Sequence, residues 1–232
     1  MAIKFQQAKF AASYQNAEQL PKSKAPEISF VGRSNVGKSS LMNKLFNRKK
    51  LVKTSSKPGC TQAVNFFEVP GVDFIDLPGY GFARVSKAER AHWRKLIDSY
   101  FEQPRRHALC VQLVDIRHEA QKLDIQMTEY LLAHGIPFII VFTKADKLKR
   151  GQVARHVSQL CRDFAFAGDV TVLGPSLLTE LRKRLPHTMF LVPGYGAQGG
   201  GAAGIAGGFD ENGLGAIVNS SRAILCAYKK EG

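Results

Sequence analysis

Gly32-Arg33-Ser34-Asn35-Val36-Gly37-Lys38-Ser39 meets the phosphate-loop pattern GxxxxGK[ST] at every specified position. Upstream, Glu27-Ile28-Ser29-Phe30-Val31 reads as a short buried strand; downstream, Leu41, Met42, Leu45 and Phe46 recur at helical spacing. The order is strand, glycine loop, helix. A triphosphate packs several negative charges into a small volume. Glycines at 32 and 37 let backbone N–H groups converge on it, the helix N-terminus adds positive potential, and Lys38 adds a full charge. Ser39 is then placed to ligate Mg2+. A chance glycine and serine turn would not also carry the flanking strand and helix.

Three further segments follow in order. Pro58-Gly59-Cys60-Thr61-Gln62 precedes Val64-Asn65-Phe66-Phe67-Glu68-Val69, whose alternation predicts an exposed-edge strand, and Thr61 is able to close onto magnesium. Val72-Asp73-Phe74-Ile75-Asp76-Leu77-Pro78-Gly79 predicts a strand ending in Asp-x-x-Gly. An acid there suits a magnesium-bound water, and the Gly79 N–H is able to meet a terminal phosphate. Phe138-Ile139-Ile140-Val141-Phe142 is an apolar strand running into Thr143-Lys144-Ala145-Asp146. The Asp146 carboxylate accepts from guanine N1–H and the 2-amino group, while the Lys144 stem covers the base. Adenine offers no such donor pair, so the pattern points to GTP and GDP.

Residues 29–45, 54–69, 74–82 and 143–151 resemble the EngB group of small bacterial GTPases, and the likeness extends over about residues 1–170. The resemblance implies a Ras-like α/β fold, a role in assembling the large ribosomal subunit, and a link to cell division and septation. By position it implies that Gly32 to Ser39 hold the phosphates and that Gly59, Cys60, Thr61, Gln62 and Ala63 contact the nucleotide. It further implies that Ser39 and Thr61 ligate Mg2+, that Asp76, Leu77, Pro78 and Gly79 sense the terminal phosphate, and that Thr143 to Asp146 read guanine. Lys38, Thr61 and Gly79 are the catalytic candidates.

Hydrolysis needs an aligned water and positive charge opposite a loose transition state. Tyr80 follows Asp-x-x-Gly where Ras-type enzymes carry a water-orienting glutamine, so slow intrinsic turnover is expected. Arg84 reads as a solvated or partner-facing side chain rather than a finger. Related GTPases with asparagine at the position of Asn35 recruit K+, and Asn35 either does so here or only hydrogen-bonds its own loop. Thr61 and Gly79 meet the terminal phosphate only while it exists, which predicts a switch.

The chain has 232 residues, enough for one α/β domain and an extension, and a formal net charge of +14. Residues 1–60 hold twelve Lys or Arg against Glu18 and Glu27 alone. Arg48-Lys49-Lys50 is either a solvated helix end or a polyanion contact. The second reading suits ribosomal RNA sensed beside the first switch, with steep salt dependence and no DNA specificity. Cys60, Cys110, Cys161 and Cys226 lack the paired spacing of zinc or redox motifs. No stretch reaches the ~18 apolar residues of a membrane span. A cytoplasmic monomer is expected.

Ala108 to Asp115 reads as another strand, and 87–103, 121–134 and 149–166 as helices, with Trp93, Leu96, Ile97 and Tyr100 facing the core, or Trp93, near the second switch, touching a partner. The fold expected is a mostly parallel, doubly wound sheet with flanking helices. Its parts are a basic extension (1–25), a GTP-binding domain (26–172) and an atypical segment (173–232). After Val170-Thr171-Val172 the family pattern lapses: Leu173-Gly174-Pro175-Ser176 leaves Ser176 as a displaced stand-in for the residue that supports guanine. Residues from about 174 to 230 resemble instead the end of orotidine 5'-phosphate decarboxylase, with Gln198 and Arg222 at its phosphate-gripping positions. That activity is not expected: no Asp is followed two places later by Lys, and a closed barrel typically needs about 250 residues. A fusion, a frame or assembly error, or a constructed chimera are the ordinary readings. Glycine-rich 194–208 is expected to be mobile, and 220–230 to order as strand and helix.

Overall fold

The computed structural model describes residues 3–53, 63–81, 87–167, 183, 189–193 and 216–219. The chain resolves into two compact units, Met1–Leu113 and Val114–Gly232. In the first, strands β1 (Lys9–Tyr14), β2 (Glu27–Gly32), β3 (Val64–Val69), β4 (Val72–Asp76) and β5 (His107–Asp115, whose last two residues belong to the second unit) lie in the order β1-β3-β4-β2-β5. Helices α1 (Lys38–Leu45) and α2 (Lys87–Glu102) accompany them.

β2 is parallel to both β4 and β5, and each of its six residues is buried, as a strand covered on both faces requires. β3 pairs antiparallel with β4 through the tight turn at 70–71, and β1 pairs antiparallel with β3. The expected exposed-edge strand at 64–69 is therefore interior, and β1 takes the edge. Within this strand Asn65 accepts from Ser13 Oγ at 2.7 Å and donates to Asp76 at 3.4 Å, while Glu68 is exposed.

Phe74 centres the core of this unit. Phe46 meets it edge-on at 5.2 Å between centroids, Phe5 lies at 5.5 Å and Phe30 at 6.1 Å. The N-terminal residues thus build the sheet edge with β1 and the core with Phe5, which is fully buried. Trp93, Leu96, Ile97 and Tyr100 are buried as their helical spacing predicts.

The second unit contains α3 (Lys122–Ala133), β6 (Phe138–Thr143), α4 (Arg150–Asp163), β7 (Met189–Pro193) and β8 (Ala216–Asn219). β7 runs antiparallel to β6, with Ile140 opposite Leu191, and β8 runs parallel to β7. Both outer strands come from the segment that departs from the family pattern, and neither was anticipated. The expected strand at 170–172, the glycine-rich 194–208 and the segment 220–230 lie outside the described residues.

Candidate nucleotide site

The phosphate loop is shaped by close approach. A Cβ on Gly32 would lie 2.8 Å from the Leu113 carbonyl oxygen and 2.9 Å from Val36 Cγ1, so only glycine fits where β2 enters the loop. Asn35 (φ 61°) and Gly37 (φ 108°) turn the chain into α1. No side chain caps α1 and its first turn holds no acid, which leaves its N–H groups and their partial positive charge for an anion.

The loop is stitched to the Asp-x-x-Gly segment. Ser34 N–H donates to the Tyr80 carbonyl at 2.9 Å, Tyr80 N–H donates to the Gly32 carbonyl at 3.2 Å, and Leu77 N–H donates to the Phe30 carbonyl at 3.1 Å. Gly79 is pressed against Ser34: an added Cβ would sit 3.1 Å from Ser34 Oγ and 3.2 Å from its Cα. Lys38 Nζ pairs with Asp76 Oδ1, both side chains almost fully buried. The Ser39 hydroxyl and the Asp76 carboxylate offer oxygen donors alone, the set a hard divalent cation such as Mg2+ takes directly or through water.

In the second unit, Thr143 ends β6 and is fixed on both sides: its Oγ1 donates to the Val114 carbonyl at 3.3 Å, and its carbonyl accepts from Ile116 N–H at 3.1 Å. Lys144 adopts φ 63° and opens the short turn Ala145–Lys147. Its ammonium reaches Asp115 Oδ2 at 2.9 Å. Asp146 is exposed and its carboxylate pairs with Lys147 at 3.1 Å.

A family model described as 50S ribosome-binding GTPase matches residues 27–144, just over half of the chain. A probable GTP-binding protein EngB of Heliobacterium modesticaldum is 45% identical over 172 residues, covering 74% of this chain and 84% of the relative. One from Bacillus cereus strain G9842 is 46% identical over 173 residues, covering 74% and 87%. The chain belongs to the EngB family of GTPases.

A crystal structure of a probable GTP-binding protein engB superposes with a TM-score of 0.51 at 25% identity, covering 68% of this chain and 99% of that one. The EngB relatives leave about a quarter of this chain unmatched. Membership makes this a GTP-binding, GTP-hydrolysing protein. Of the remaining candidates, Ala63 is buried beside β3, while Gly59, Cys60, Thr61, Gln62 and Ser176 lie outside the described residues, as does Arg84.

Sequence reasoning missed Asn65 and Asp115, each bonded to a motif residue. Asp115 carried a readable signal, an acid closing an apolar strand. Burial pushes the Cys110 thiol up to about 12 and the Cys161 thiol to about 11, so both stay protonated at neutral pH. Among the described residues, no helix is long and apolar enough to cross a membrane and no cluster of His, Cys, Asp and Glu could hold a metal.

Proposed function

We propose that this EngB GTPase is a Mg2+-dependent switch acting in the assembly of the large ribosomal subunit, in the cytoplasm, with consequences for cell division and septation. The observation that carries the switch is the stitching of the phosphate loop to Tyr80. A terminal phosphate gripped at 32–39 acts on the segment beginning at Asp76, because Ser34 and Gly32 hold that segment by backbone hydrogen bonds. The segment leads along the chain to α2, so phosphate occupancy is passed to residues that a partner can feel.

In the bound state Lys38 and the α1 N-terminus would hold the β and γ phosphates, and Ser39, Thr61 and the Asp76 carboxylate would hold Mg2+, directly or through water, to supply positive charge opposite the phosphates. Asp146 accepts from guanine, and the Lys144 stem lies against the ring. Tyr80 cannot orient water as a glutamine amide does, so unassisted turnover is slow. Asn35, exposed and left-handed, suits a K+ ligand beside the phosphates; replacing potassium by sodium should then slow turnover, and equal rates would remove the ion from the mechanism.

Exposed Lys44, Arg48, Lys49, Lys50 and Lys53 follow the phosphate loop and suit a ribosomal RNA partner. The test is cosedimentation with large-subunit precursors in GTP analogue and in GDP across a salt series. Association that needs the analogue and falls steeply with salt is expected. Salt-insensitive capture of a division protein would favour a protein-binding switch without RNA contact.

A further inference from the structure

Asp115, the last residue of β5, holds two cations. Its Oδ1 accepts from Arg117 N–H at 3.1 Å and from Arg117 Nε at 2.9 Å; its Oδ2 accepts from Arg117 Nη2 at 2.7 Å and from Lys144 Nζ at 2.9 Å. The Asp115 side chain is 15% exposed and that of Lys144 25%. Partial burial opposes ionisation, but the hydrogen bonds from Arg117 and Lys144 outweigh it and hold the carboxyl well below the usual carboxylate range. Lys144 is thereby fixed at both ends, by a left-handed backbone that non-glycine residues seldom adopt and by its ammonium on Asp115.

Two residues on, Asp146 has its carboxylate in solvent, 70% exposed. The Asp146 charge acts on Arg117, and Lys144 opens the turn that carries Asp146. Lys147 already pairs with Asp146 at 3.1 Å, and a second cation settled there would leave less of the carboxylate for the guanine N1–H and 2-amino donors.

We propose that Asp115 is a positioning residue for base recognition: it holds the Lys144 ammonium, so that the Lys144 stem is fixed for the guanine face and the Asp146 carboxylate, already paired with Lys147, is spared a second cation. The inference rests on the reading of Asp146 as the guanine acceptor. On this proposal the carboxylate at 115 supplies selectivity without touching the nucleotide, by holding the Lys144 ammonium.

The full-length protein is titrated with fluorescent GDP in competition with GDP, IDP, which lacks the 2-amino group, and ADP. Asp115→Asn, Lys144→Met, the double variant and Asp146→Ala are compared with the unmodified chain. Asp115→Asn should weaken GDP about tenfold, the scale of one charge-assisted hydrogen bond, and shrink the preference for GDP over IDP. In the Lys144→Met background, where no ammonium remains to be released, the same change should cost less than about twofold. GDP binding by Asp115→Asn equal to that of the parent, an unchanged GDP to IDP ratio, or an undiminished penalty in the Lys144→Met background would each overturn the proposal. A parent that binds ADP as well as GDP, or Asp146→Ala that binds GDP undiminished, would remove the reading of Asp146 and the proposal with it. Thermal unfolding of each variant separates these outcomes from loss of fold.

Discussion

The Lys38 ammonium and the Asp76 carboxylate pair with one another at the base of the phosphate loop, at 8% and 2% side-chain exposure. On the proposed reading a bound phosphate would compete with Asp76 for the lysine, and magnesium-bound water with Lys38 for the acid. Each residue would then be a binding group as well as the other's counter-ion. Lys38→Ala should abolish nucleotide binding and lower stability without nucleotide by about 3–5 kcal/mol, because it strands a buried carboxylate. The double change Lys38→Met with Asp76→Leu should regain most of that stability while still binding no nucleotide. Urea unfolding beside GDP titration checks both statements; equal destabilisation by the single and double variants would refute them.

Gly79 couples the two phosphate-facing loops by contact with Ser34. Because an alanine Cβ would lie 3.1 Å from Ser34 Oγ and 3.2 Å from Ser34 Cα, Gly79→Ala must push the loops apart. The expected cost is about 1–3 kcal/mol of overpacking. GDP affinity should change little while the response to the terminal phosphate is lost. The single tryptophan, Trp93 on α2, is the reporter: its emission should differ between GDP and a GTP analogue in the parent and coincide in the variant.

A second buried charge cluster secures the end of α2. Glu27 accepts from Arg105 at 2.8 Å and from the Tyr100 hydroxyl at 2.9 Å, and the Arg105 guanidinium lies 4.8 Å from the Tyr100 ring centroid. Arg105 also donates to the Pro21 carbonyl, binding the N-terminal segment to the same point. Arg105→Ala should cost about 3–5 kcal/mol by leaving Glu27 buried and unpaired. Tyr100→Phe should cost about 1.5–3 kcal/mol, the range for a hydrogen bond to a charged group. His107 adjoins the cluster, and desolvation lowers its pKa from the ordinary value of 6.5, with the Glu27 charge opposing the shift. A histidine depressed in the folded state keeps its full contribution above pH 6.5 and loses it as pH falls through the folded value. His107→Gln should flatten the decline in stability below pH 6.5, read by denaturant midpoints across pH.

Lys49 and Lys50 are exposed just beyond α1, whereas neighbouring Arg48 donates to the Gln6 carbonyl at 3.2 Å. Lys49→Gln with Lys50→Gln should leave GDP binding and unfolding unchanged and weaken association with ribosomal RNA. If each lysine neutralises one phosphate, the slope of log affinity against log salt should fall by about 1.4–1.8. Replacing Arg48 instead should also loosen the N-terminal segment.

The motifs at 32–39, 76–79 and 143–146 are legible in the sequence as candidates, and strands β2 to β6 and helices α1 to α4 lie close to where it predicts them. Glycines, a lysine at a helix start and an acid at a strand end are demanded locally by phosphate and base, and apolar periodicity within 10–20 residues sets a strand or a helix. Tertiary structure alone decided that residues 9–14 form the sheet edge, that β3 is interior, and that β7 and β8 arise from 189–193 and 216–219. It alone chose the partners of the charges: Lys38 with Asp76, Arg105 with Glu27, Lys144 with Asp115. Strand neighbours and counter-ions are settled between residues 29 to 78 positions apart, where closing the chain and desolvating a charge outweigh any local preference.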